Sequence, residues 1–317
     1  MLRFIGRRIV ALIPVVIIVT ALSFMLVTVM PGDAALANSG IQQNGVSDAA
    51  LAQARAELGL DKPPLQRYLS WLGGLLHGDL GTSFRLNTPV SHAVFSRLPI
   101  TLEVGLLAIL LALVIGGILG VVMALRANKT TDVLLTVVSF GGIAIPPFWL
   151  GALLVFVVSL TWGLLPPSGY VAFADDPVKH LQLLVLPVIT VAVAPAAILA
   201  RQIRGAVLDA LGQEYTVAAR ARGANRRRVV LHHVLKNASV PVISAAGLQV
   251  GGVVGGAILA ETIFTVPGVG LLLVDSISGR DYPVILGLLV VLSSLVLVIN
   301  LITDIVYAVV DPRIRYE

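Results

Sequence analysis

The chain has 317 residues, of which 57% are hydrophobic and only 12% charged, with a mean hydropathy of +0.96 and a formal charge of +5. So apolar a composition excludes an ordinary soluble domain and puts the chain in the membrane class. The absence of cysteine excludes disulfides, thiolate metal sites and cysteine nucleophiles.

A membrane-spanning helix needs about 20 mostly apolar residues. Six stretches qualify: 9–30, 100–125, 133–162, 181–204, 239–260 and 284–310. None alternates like a barrel strand, so the expected fold is all-α and integral to the membrane, with six transmembrane helices. Arg7 and Arg8 precede the first run, and Ala35-Leu36-Ala37 resembles a cleavage site. The run exceeds the roughly 7 to 15 residues of a signal-peptide core, so residues 1–30 are expected to persist as an uncleaved first helix.

Residues 31–99 are expected to form an extracytoplasmic insert. Within it SDAALAQARAELGL has helical spacing, with Ser47 as N-cap and Gly59 as stop. LQRYLSWLGGLLHGDL reads as a second amphipathic helix whose Tyr68 and Trp71 suit a membrane interface. The other five spans form a core over 100–310 that carries a cytoplasmic loop at 205–238, and 311–317 make a cytoplasmic tail.

Pro146-Pro147 in the third span, and Pro187 and Pro195 in the fourth, are expected to kink their helices. The fifth span carries Gly247, Gly251 and Gly255 in one i, i+4 row and Gly252 with Gly256 in another. That pattern lets helix backbones approach closely and reads as a packing interface. The polar residues deep in spans are Thr136, Ser139, Gln249, Ser293, Ser294 and Asn300, and Ser139, Gln249 and Asn300 are candidates for lining a pathway. Glu103 and Asp304 lie near span ends, so the midplane carboxylate usual in an ion-coupled carrier is missing.

The net positive charge does not point to nucleic acid, because the basic residues follow topology. With the N-terminus in the cytoplasm, Arg3, Arg7, Arg8, Arg126, Lys129 and the 220–228 cluster all fall inside, as do Arg313 and Arg315. That positive-inside bias places both termini in the cytoplasm. His77, His92 and His180 read as isolated histidines outside the membrane, and His232 and His233, being adjacent, point to different helix faces. No enzymatic constellation is present.

The densest basic stretch is EYTVAARARGANRRRVVLHHVLKNASVPV, from Glu214 to Val242. It divides into a helix over about 207–222, stopped by Gly223 as a C′ residue, and a second helix capped by Asn225. Arg226, Arg227 and Arg228 then occupy a first turn where the helix dipole opposes them. Anionic lipid headgroups or an acidic partner surface would offset that cost. Ala218, Ala219, Ala221, Gly223 and Ala224 form a tip with almost no side-chain bulk, shaped either to enter a partner's groove or to serve as a simple topology anchor.

Glu214, Ala218-Ala219 and Gly223, followed by hydrophobic residues and Pro241, resemble the EAA loop of permease subunits in ABC importers. LGLDKPPLQRYLSWLGGLLHGDLGTSF, IPPFWLGALL, ETIFTVPGVGLLLVDSISGRDYP and the terminal DPRIRYE are similar to the first permease subunit of dipeptide, oligopeptide and nickel import systems. Val217 departs from the pattern, standing where the family has a glutamate. The resemblance implies a type I ABC importer permease fold and a half-channel for peptides, with nickel or another small solute as the alternative. It implies an ATPase-coupling set of Glu214, Ala218, Ala219, Arg220, Arg222, Gly223, Ala224 and Arg227. It also implies a bacterial inner-membrane location, a homologous second permease as heterodimer partner, two ATPase domains that bind ATP and Mg, an extracytoplasmic substrate-binding protein and surrounding lipid. No GxxxxGK[ST] phosphate-binding loop occurs, since Lys129 in RANKTTD lacks the cradling glycines. The chain is therefore expected to be non-catalytic and to bind no cofactor. A secondary carrier or a membrane scaffold is the competing class.

Overall fold

The computed structural model describes residues 2–29 and 62–310. The helix expected around Ser47 and Gly59, the Ala35-Leu36-Ala37 stretch and the 311–317 tail lie outside the described residues. The order of helices is α1 (Leu2–Val29), α2 (Pro64–Leu76), α3 (Val90–Phe95), α4 (Leu98–Leu125), α5 (Thr130–Ala144), α6 (Pro147–Leu154), α7 (Pro177–Gly212), α8 (Glu214–Ala221), α9 (Leu235–Phe264), α10 (Val269–Ser278) and α11 (Tyr282–Val310). Two π-helical stretches, Val155–Thr161 and Val229–Val234, extend α6 and precede α9. Among the described residues the only bridge between extended segments joins Thr82 to Pro89.

Five of these helices are long and apolar enough to cross a membrane, and α5 with α6 makes a sixth span if taken together. The expected kink at Pro146-Pro147 is sharper than a kink: the two halves bend by 101°. Ile145 is extended, with ψ 120°, as a residue before proline tends to be. Pro187 and Pro195 behave differently, since α7 runs unbroken through both for 36 residues. The carbonyls that prolines leave unpaired are tolerated where neighbouring helices pack around them, and α7 is the most deeply buried of the candidate spans among the described residues.

The chain divides into two compact units. The first comprises residues 1–100 and 267–297. In it the α1–α2 pairing is made by aromatic rings: Phe24 of α1 lies 5.6 Å from Tyr68 and 6.0 Å from Trp71, and the Tyr68 hydroxyl is 3.0 Å from Thr20 Oγ1. Tyr68 and Trp71 thus clasp the first span. Asp281 staples the turn after Thr82: its carboxylate accepts from Ser83 Oγ at 2.5 Å, from Phe84 N at 3.1 Å and from Arg85 N at 3.3 Å. On α11, Gly287 allows Val90 of α3 to approach where any Cβ would collide with it.

The second unit comprises residues 101–266 and 298–317, built around α7 and α9. Helix α4 crosses α7 at backbone contact. A Cβ at Gly116 would fall 2.7 Å from the Ala196 carbonyl, and one at Gly120 would fall 2.6 Å from the Ala200 carbonyl. Asp132 at the start of α5 accepts a bidentate pair from Arg204 of α7, Nε and Nη2 each at 2.7 Å, and also caps the Asn128 amide at 3.0 Å.

Candidate functional site

The basic segment begins where α7 ends. The single helix expected over 207–222 is divided at Gln213, whose ψ of 149° breaks the helical path. The new helix, α8, is tied back by Thr216, fully buried, whose hydroxyl donates to the Ala210 carbonyl at 2.9 Å. Its C-terminus closes as the spacing predicts: Gly223 adopts φ +83°, its amide donates to Arg220 O at 2.9 Å, and Ala224 N donates to Ala219 O at 3.2 Å. This pair of bonds is the Schellman arrangement, which places a glycine in the left-handed region. Asn225 then caps the next turn, accepting from Arg228 N at 2.8 Å.

Of the coupling candidates, Ala219 is buried against the chain's own helices, while Glu214, Ala218, Arg220, Arg222, Gly223 and Arg227 are exposed and Ala224 is half-buried. Val217 is 58% exposed. The result is a compact, nearly bulk-free knuckle ringed by cations. Part of the expected cost of the arginine turn is met inside the chain: Arg226 Nη2 donates to the Leu125 carbonyl at 3.1 Å, at the C-terminus of α4, where positive charge is favourable. Arg227 and Arg228 remain exposed. The π-helical stretch Val229–Val234 joins the knuckle to α9, and such stretches often mark functional positions.

Ser139 is buried, donates to the Leu135 carbonyl of its own helix at 2.8 Å and lines a cavity of about 200 Å3 between α4, α5 and α7. Gln249, half-buried, and Asn300, exposed, are not among that cavity's walls. The glycine rows of α9 separate by environment. Gly247 lies hard against Thr303 and Gly256 packs on Val191 of α7 at 3.3 Å, whereas Gly251, Gly252 and Gly255 have open space where a side chain would stand. Gly116 and Gly120 on α4, which make the close contacts with α7, carry the same i, i+4 spacing in the sequence.

His180 is the clearest departure from expectation. It is not an isolated outer histidine: it is 1% exposed, its Nε2 lies 2.9 Å from Glu103 Oε1 and its Nδ1 lies 2.8 Å from the Val171 carbonyl. A carbonyl only accepts, so Nδ1 carries hydrogen, and the second contact needs one further proton between imidazole and carboxyl. Tyr170 and Phe173 stand edge-on to the ring, each at 5.5 Å. Burial pushes the Tyr170 phenol above its ordinary range, and the Glu103 charge adds to the effect. No group of three or more histidine, aspartate or glutamate side chains suited to a metal occurs among the described residues.

Residues 1–105 match the N-terminal region, and residues 116–316 the main region, of the inner membrane components of binding-protein-dependent transport systems. The chain is 38% identical to the dipeptide transport system permease protein DppB of Escherichia coli (strain K12), and 41% identical to the oligopeptide transport system permease protein AppB of Bacillus subtilis (strain 168). Both matches cover 100% of each chain. The fold is similar to the MetNI methionine ABC transporter solved in inward facing conformations, with a TM-score of 0.58 and 20% identity over 69% of this chain and 96% of that one. It is also similar to an amino acid ABC transporter solved with histidines, with a TM-score of 0.52 and 15% identity over 70% and 94% of the two chains. The chain belongs to the family of inner membrane components of binding-protein-dependent transport systems, as a non-catalytic, multi-pass permease subunit of the ABC importer class.

Proposed function

We propose that this chain forms half of the translocation pathway of an ATP-driven peptide importer in a bacterial inner membrane, with both termini in the cytoplasm. The observation that carries the reading is the Gly223 knuckle: a rigid tip of small residues, closed by two backbone bonds and ringed by Arg220, Arg222 and Arg227. A tip of this shape fits a groove on a motor protein, and its charge favours an acidic one. The motor supplies the ATP and Mg sites, and a homologous second permease supplies the other half of the pathway. The open face of Gly251, Gly252 and Gly255 on α9 is suited to meeting that second subunit. A substrate-binding protein on the far side would dock on the segments 31–99 and 262–282. Peptides are favoured as cargo because the relatives identical at 38% and 41% are named as dipeptide and oligopeptide permeases.

Coupling then has a physical form. Nucleotide-driven closure of the motors displaces the knuckle, the π-helical stretch passes the displacement to α9, and the loaded binding protein biases the same two-state equilibrium from outside. The test uses the natural absence of cysteine. A single cysteine at Ala224, treated with a short thiol crosslinker in native membranes, should capture a P-loop ATPase identifiable by mass spectrometry. Capture of lipid or of a second copy alone, with ATPase abundant in the same membranes, would overturn the reading.

A further inference from the structure

Gly117 on α4 has a different environment from its neighbours. Gly116 and Gly120 are required by the close backbone of α7, but nothing lies within 4 Å of the position a Gly117 side chain would take. It opens instead into a groove of about 630 Å3 between α4, α7 and α9, in the size range of ligand pockets. The walls include Ile118 and Val122 of α4, Val207 of α7 and Leu235 and Val242 of α9; Ser239 supplies their only polar side chain, and none is acidic.

Basic residues adjoin, along the chain, the lining residues at one end of the groove. Val121 and Val122 stand in the last turns of α4, and Leu235 opens α9. Arg126 follows directly on α4, its Nη1 donating to Thr131 Oγ1 at 3.2 Å, and Lys236 follows directly on Leu235; both are exposed. Arg226 reaches the same end, its guanidinium 3.1 Å from the Leu125 carbonyl. The nearest acidic side chain on α5, Asp132, is already held bidentate by Arg204.

We propose that this groove is a binding site for an anionic glycerophospholipid, with an acyl chain along Gly117 and Ile118 and the phosphate among Arg126, Arg226 and Lys236. An apolar trough between spanning helices that ends in basic side chains is complementary to a molecule with one apolar and one anionic end. A zwitterionic lipid gains the trough without the charge, so the site selects by headgroup. Because α9 leads directly into the π-helical stretch, an occupied groove braces the segment that carries the knuckle. The inference needs only that α4, α7 and α9 span the membrane, and it stands apart from any assignment of motor or cargo.

The test is native mass spectrometry of the purified complex from bilayer discs of equimolar phosphatidylglycerol and phosphatidylcholine. Wild type should retain phosphatidylglycerol preferentially, and the Arg126→Gln/Lys236→Gln double variant should lose about fivefold of that preference for each charge removed. Gly117→Leu should shed both lipids, while Gly141→Leu, the same change at another open helical position, should retain them. Thermal melts of the variants establish that each is folded. Equal retention of the two lipids by wild type would overturn the proposal, and so would undiminished retention by folded Gly117→Leu. Capture of a protein chain rather than lipid by a photo-crosslinker at Ile118 would also overturn it.

Discussion

Gly116 and Gly120 on α4 face α7 so closely that a methyl group at either would strike backbone, whereas at Gly251, Gly252 and Gly255 on α9 nothing among the described residues lies within 4 Å of where a side chain would start. The two sets share the same i, i+4 spacing in the sequence. What differs is the surroundings: for α4 another helix of the same chain fills the space, and for these α9 positions the space is open among the described residues. A small-residue repeat therefore reports that a backbone can approach, without reporting whose.

That contrast sets the scale of the expected effects. Gly120→Val forces a branched side chain into the Ala200 backbone and should cost about 3 kcal/mol or more, read as a collapsed melting transition in detergent. A variant that melts like wild type would remove the α4–α7 crossing from the stability of the fold. Asp132→Ala leaves Arg204 on the same α7 surface without its carboxylate and should cost about 2 kcal/mol. Lys substituted for Arg204, which keeps the charge but loses the bidentate fork, should recover only part of the native stability in the same melt.

Gly223→Ala should cost about 1 kcal/mol, because an alanine must then hold the left-handed conformation. Limited proteolysis of the 205–238 segment is the sensitive assay, and an unchanged cleavage rate would mean that the knuckle is not set by its glycine. At the bottom of the scale, Gly255→Leu should leave the stability of the isolated chain within about 0.5 kcal/mol while abolishing association with a second permease in size-exclusion chromatography. A large drop in monomer stability would show that the α9 face has a partner in this chain after all.

The spans were legible because about 20 apolar residues in succession have few other uses, and the knuckle because glycine and asparagine signal their own backbone states locally. The division at Gln213 was not legible. Gly212 at the break is a weak helix-stop signal, but the division also depends on the Thr216 hydroxyl finding the Ala210 carbonyl. The Asp132–Arg204 and Glu103–His180 pairs join residues 72 and 77 positions apart, so nothing in either neighbourhood predicts them. Arginine in the first turn of the second helix is unfavourable within its own helix, and the C-terminus of α4 that receives Arg226 is 101 residues away in the sequence. The prolines divided as they did for a tertiary reason: α7 is surrounded and stays whole, while the third span is mostly at the periphery and breaks.

The break between α5 and α6 also bears on how a helix can begin at the depth of a bilayer. A helix start exposes four backbone amides with no partner, and hydrocarbon offers them no water. Pro146 and Pro147 hold the first two of those positions and carry no amide hydrogen at all. The elbow is thus built from the residues that least need wetting, and the Leu150 amide closes the first turn onto the Pro146 carbonyl at 3.0 Å. Replacing either proline with alanine would add no bulk, yet it would introduce a donor that must find either an acceptor or a route for water into the membrane.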